Sequence, residues 1–170
     1  VPAVHFVDGT IDYEGPEAVT AKGDTLRIVV VPTPDAAPCV VDVALAKPFK
    51  VTAKHCLDGA KLLSLVLSPR AAWVAWQANA NATADVTWVR TMNLDSGEIG
   101  VDVATNPSDD ILVTDTGRLV IDTLTDVRQI DPTTKVAAPV VPPPDLHACT
   151  SRGDRTLVCE RNGFVTTVEL

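Results

Sequence analysis

The residues able to do chemistry are four cysteines (39, 56, 149 and 159), three histidines (5, 55 and 147) and a large set of aspartates. Four cysteines allow three disulfide pairings. In an antiparallel hairpin, directly opposed residues lie at equal distances from the middle of the turn. Cys39 and Cys56 are centred between Lys47 and Pro48, inside the break Ala46-Lys47-Pro48, and Cys149 and Cys159 are centred on Asp154, inside the break at 151–154. Both pairs therefore fall opposite one another across hairpins placed from hydrophobicity alone, at the Cα spacing that a disulfide needs. The expected bridges are Cys39–Cys56 and Cys149–Cys159, which imply an oxidising compartment: periplasm, cell envelope or outside the cell. Two other readings stay open. One is four reduced core cysteines in a cytosolic protein. The other is zinc held by His55-Cys56 and His147-x-Cys149. Against zinc, adjacent residues on a strand point to opposite faces, and neither pair has ligand-type spacing.

The histidines sit beside no recognisable nucleophile, and no Gly-x-Ser-x-Gly context is present, so no catalytic residue is assigned. Asp109-Asp110 could offer oxygens to calcium, although the Asp-x-Asp-x-Asp-Gly loop is missing. Most aspartates flank turns, where Asp caps backbone amides. Asp122 and Asp126 are candidates to line a channel. No cofactor or metal ligand is assigned. Trp73 and Trp76 are three apart and so face opposite sides of one strand, with Trp88 in the same region. Their ordinary role is core packing; one left exposed would mark an interface. Asn81-Ala82-Thr83 reads as a glycosylation sequon only in a eukaryote, and the Ala, Val, Asp, Thr and Pro bias looks bacterial.

The elements that must carry these residues are clearest between 110 and 141. Four short runs rich in Val, Ile and Leu, at 111–114, 118–122, 126–130 and 136–141, are separated by Asp115-Thr116-Gly117, Thr123-Leu124-Thr125 and Asp131-Pro132-Thr133-Thr134-Lys135. Runs this short, bounded by turn residues, are strands, and four in succession make an antiparallel meander. Thirteen prolines and many β-branched residues speak against long helices. The only helix candidate of any length, near 58–68, suits its neighbours better as a strand over 61–67.

The same pattern recurs, giving repeats at about 16–56, 60–103, 108–141 and 145–170. Second strands centre near Ile28, Val74, Val120 and Leu157, a period of roughly 40–45 residues, with four strands per unit as in a β-propeller. The last unit stops after its third strand, and an orphan run at 3–7 precedes the first. That run is expected to complete the last blade, which would close a small four-bladed ring and remove its open edge. Alternatives are half of a larger ring, with self-association, and a β-sandwich. The Pro-rich stretches at 31–38 and 138–144 are stiff connections or docking segments.

Asp131-Pro132-Thr133-Thr134-Lys135-Val136 and Asp95-Ser96-Gly97-Glu98-Ile99 resemble the Asp-x-x-Thr-Gly-Lys-Val turn of quinoprotein-like and related bacterial propeller repeats. Thr134 stands where that family has Gly. The Trp-Asp dipeptide of WD repeats is absent, and none of the family's cofactor-binding residues can be placed. The resemblance implies a propeller.

Hydrophobic residues make up 46% of the 170-residue chain and charged ones 21%, as in a single globular domain. A net charge of −8 argues against a nucleic-acid partner, and the longest apolar runs are too short to span a membrane. The chain begins Val1-Pro2-Ala3, as a processed segment would. The expected function is an extracytoplasmic binding or scaffold module with a protein partner, such as an accessory subunit of a membrane or envelope complex. The alternatives are part of a propeller enzyme or a small-ligand or metal carrier.

Overall fold

The computed structural model describes residues 4–6, 9–11, 19–30, 38–59, 61–79, 87–123, 125–141, 144–161 and 163–170. The sequon at Asn81, the stretch 31–37 and residues 142–143 lie outside the described residues, as do the side chains of His5 and His147. Every described strand is short, and neighbours in sequence are neighbours in the sheet. β1 (Val4–Phe6) and β2 (Gly9–Ile11) form a hairpin. β3 (Val19–Lys22), β4 (Thr25–Val30), β5 (Cys39–Ala44) and β6 (Lys50–Cys56) form sheet I in that order. β7 (Lys61–Leu67), β8 (Trp73–Asn79), β9 (Thr87–Asn93) and β10 (Ile99–Thr105) form sheet II. β11 (Asp110–Val113), β12 (Leu119–Asp122), β13 (Val127–Ile130) and β14 (Ala137–Pro139) form sheet III. β15 (Cys149–Ser151), β16 (Thr156–Arg161) and β17 (Phe164–Glu169) form the three-stranded sheet IV. Among the described residues the fold is all-β, with four antiparallel sheets of three or four strands beside the β1–β2 hairpin. Among the described residues no helix is long and apolar enough to cross a membrane.

Two sequence expectations are corrected. The described part of the run at 3–7 pairs with β2, Val4 facing Ile11, and does not complete sheet IV. A partner only two residues away along the chain closes with far less loss of chain entropy than one at the opposite terminus. The repeat expected over 145–170 does not open on a strand: Leu146–Ala148 is a 3-10 turn, and the first strand starts at Cys149.

The sheets stack face to face in chain order. Val29 and Val40 of sheet I meet Val74, Trp76 and Met92 of sheet II. Ala75, Val89 and Val101 on the opposite face of sheet II meet Ile111, Leu119 and Ile121 of sheet III. Val120 and Val127 of sheet III meet Leu157 and Val168 of sheet IV. In sheets II and III alternate apolar side chains feed the interfaces on both faces, which is why their inner strands read as nearly continuous apolar runs. Trp73 and Trp76 go to different interfaces; Trp76 also meets Trp88 edge-on, centroids 6.0 Å apart. No described hydrophobic cluster joins sheet IV to sheet I.

Corresponding turns in sheets II and III share one geometry. Asp131 accepts hydrogen bonds through Oδ1 from the amides of Thr133 and Thr134, both at 2.9 Å, and Lys135 follows at φ +58. Asn93 does the same for Asp95 and Ser96, at 2.9 and 3.0 Å, and Gly97 follows at φ +75. The residue matching Asp131 is therefore Asn93 and not Asp95. Those two amides, from Thr134 and then Thr133, with the nearby Arg118 charge, hold the Asp131 carboxyl below the usual carboxylate range.

Both bridges span directly opposed residues. Cys39 faces Cys56 across β5 and β6, Cα atoms 3.9 Å apart, and Cys149 faces Cys159 across β15 and β16, 4.0 Å apart. Bonded sulfur is not thiolate, so neither the reduced-core reading nor the zinc reading fits this arrangement. Replacing Cys39 and Cys56 together with alanine is expected to cost about 3 kcal/mol, from the entropy of the loop they close. Urea unfolding of the variant, with Cys149–Cys159 intact, measures it; an unchanged midpoint would show that the bridge does not constrain the unfolded chain.

Candidate functional site

The site is built where the first strands of three sheets converge. β7, β11 and β15 are each the edge strand of their sheet, and β11 packs against both β7 and β15. Between them lies a cavity of about 440 Å³. Its wall takes residues 64–67, 110–113 and 149–151 without skipping, odd and even positions alike. A cavity over the face of a strand would meet alternate residues. A wall of consecutive residues means that the cavity runs along strand edges, where main-chain N–H and C=O groups look outward.

The side chains grade this wall from apolar to polar. Leu65 and Leu67 turn toward sheet I, Val66, Ile111 and Val113 toward the interface of sheets II and III, and Leu112 toward sheet IV. Ser64 donates to Gln77 Oε1 at 3.2 Å, and the buried Ser151 hydroxyl lies 3.5 Å from the Val113 carbonyl. Gln77 Nε2 in turn donates to Thr105 Oγ1 at 3.1 Å and to the Asn106 carbonyl at 2.6 Å. This network fixes the edge of β7 against the link to β11. Asp110 brings the one carboxylate in the wall, and Thr150 stands exposed beside it.

The aspartates named from sequence are distributed differently. Asp122 faces Asp110 across the β11–β12 pair but lies outside the cavity wall. Asp126 is at the β12–β13 turn, accepting from Thr123 Oγ1 at 2.7 Å and Arg128 Nε at 2.8 Å, and these two bonds hold its carboxyl below the ordinary range. Asp110, on the first strand of sheet III, stands in the cavity wall, whereas Asp122 ends the second strand and does not. Asp109 accepts from the Asn106 amide at 2.9 Å, capping the link between β10 and β11. Among the described residues no group of three or more His, Cys, Asp or Glu is placed to hold a metal ion.

A second polar junction, at the interface of sheets I and II, was missed from sequence. Arg27, with its side chain 2% exposed, binds Asp42 through Nε and Nη2, both at 2.6 Å. It also donates from Nη1 to the Ala71 carbonyl of sheet II and from Nη2 to Asp95 at 3.5 Å. Burial opposes the charge, but the hydrogen bonds and charge of Asp42, joined by Asp95, outweigh it and hold the guanidinium above its usual pKa. The signal was in the chain: Arg27 and Asp42 each interrupt an apolar run at mirrored positions of adjacent strands, and a buried charge needs a partner. Arg90 forms a smaller junction, over the Trp88 ring at 4.1 Å and bonded to Asp58 and Asp102.

No family model matches the chain, and no curated protein matches it. The crystal structure of the uncharacterized protein lmo1340 from Listeria monocytogenes EGD-e is similar, with a TM-score of 0.55 and 10% identity over 86% of this chain. The matched part is 47% of that structure, so the chain spans a little under half of its length. At this identity the likeness is one of fold.

Proposed function

We propose that the chain is an extracytoplasmic binding module, a run of propeller-like blades belonging to a larger ring, which holds an extended segment of a protein partner along its inner strand edges. The observation that carries this reading is the cavity of about 440 Å³ walled by consecutive residues of β7, β11 and β15. Its size lies in the range of ligand sites, and outward main-chain groups on strand edges are what an extended peptide pairs with. Aliphatic side chains in that wall favour an apolar segment. A neighbour about twice the chain's length supports the larger ring. The two disulfides support an oxidising location.

A photo-crosslinking side chain placed at Thr150, exposed in the cavity wall, tests the reading in cells of the source. A discrete adduct with another protein is expected from Thr150 and not from Glu160, exposed on β16 outside that wall. All four cysteines should resist alkylation until a reductant is added. Equal labelling from both positions, or freely alkylated thiols, would remove the proposal's basis.

A further inference from the structure

The hairpin that joins β5 to β6 puts an apolar and basic tip on an acidic chain. Residues 45–52 are all exposed. Three of them are large and apolar: Leu45 is 45% exposed, Phe49 59% and Val51 48%. Lys47 and Lys50 stand among them and Lys54 follows on β6, all three exposed. These are three of the chain's six lysines, and no Asp or Glu lies between residues 43 and 57, although the net charge of the chain is −8. Among the described residues none of the three forms an ion pair. The β3–β4 turn alongside adds one carboxylate, that of Asp24, whose main-chain carbonyl accepts from the Leu45 amide at 2.9 Å.

Lysines on an edge strand by themselves keep it from pairing, but that role needs neither Lys47 in the turn nor the apolar neighbours. A protein partner is ordinarily met by arginine and aromatic groups, with lysine depleted. All eight arginines of the chain lie outside this hairpin. Compact ammonium groups around Leu, Phe and Val match a bilayer surface instead. There apolar side chains enter the headgroup boundary while lysine stems lie along it and leave their charges at the phosphates. We propose that this tip docks on an anionic phospholipid surface, with Phe49 inserted and Lys47, Lys50 and Lys54 at the phosphates. Each lysine near such a surface raises affinity about fivefold, so three together give about 100-fold over an uncharged bilayer. The acidic remainder does not cancel this at physiological salt, because charges more than about 8 Å away are screened. The tip joins the third and fourth strands of sheet I, whereas the cavity lies along first strands of the other sheets. The inference is therefore independent of the peptide-binding reading.

Flotation of the purified chain, disulfides intact, with phosphatidylcholine vesicles containing about 30% phosphatidylglycerol tests it, at about 0.1 M salt. Binding should be about 100-fold stronger than to phosphatidylcholine alone. Lys47→Glu with Lys50→Glu should abolish that preference. Arg152→Glu with Arg155→Glu makes the same charge change at exposed positions of the β15–β16 turn and should leave it within about twofold. Phe49→Ser should weaken binding to both kinds of vesicle about tenfold. The comparison of lipids uses the unaltered chain, so it decides the matter even should a variant not fold. No binding, or equal affinity for the two kinds of vesicle, overturns the proposal. So does an equal loss from the two double variants. Retention on poly-glutamate without binding to vesicles overturns it too, and would give the tip to an acidic protein.

Discussion

Arg27→Met is expected to destabilise the fold by about 3–5 kcal/mol, the usual cost of removing one member of a buried ion pair. The change leaves Asp42, 14% exposed, without its two guanidinium bonds, and strips the Ala71 carbonyl of a donor from the neighbouring sheet. Methionine fills much of the same volume, so the loss is electrostatic more than steric. Coupling the change to Asp42→Leu should return most of the stability, because two apolar side chains can occupy the site without an orphaned charge. Urea unfolding of wild type, the single variant and the double variant measures all three. A single-variant loss of ~1 kcal/mol or less would place Arg27 among surface pairs and contradict its burial.

Gly117→Ala should cost about 3 kcal/mol. Gly117 lies in the β11–β12 turn at φ +82, and a Cβ there would come within 2.6–2.7 Å of three Trp73 ring atoms. The half-buried indole lies across the interface of sheets II and III, also against Gly100, so relieving the clash means shifting it away from both neighbours. Backbone strain in the left-handed region accounts for ~1 kcal/mol of the loss and overpacking for the rest. Gly153→Ala separates the two, being at φ +72 with nothing within 4 Å of its Cβ, and should lose only the backbone share. Equal losses in the two variants would mean that Trp73 yields.

Strand order was legible because it rests on local chemistry. Short β-branched runs, broken at Gly23, 68–72, Gly117 and Asp131–Lys135, leave little choice but hairpins between neighbours, and opposed cysteines follow from hairpin symmetry. What was hidden depends on relations between sheets or between turns. Arg27 reads as an ordinary strand charge until Ala71, 44 residues away, is seen to accept from it. The equivalence of Asn93 with Asp131 was masked because Asp95 offered a better chemical match two residues on. The cavity wall needed both the stacking of sheets and the edge position of β11, which brings Asp110 inward and leaves Asp122 out. The first hairpin was missed because two three-residue strands carry almost no periodic signal.

The placement of sulfur in this array has a mechanical meaning. Sheets II and III are each clasped by a described sheet on both sides, whereas I and IV have one such neighbour, and the covalent staples lie in I and IV alone. A sheet with one described neighbour has one contact surface to break on separating, where a sheet with two must break both. A hairpin tied shut in sheet I and in sheet IV therefore adds a covalent hold to the two sheets with a single described neighbour, while sheets II and III have apolar contact on both faces.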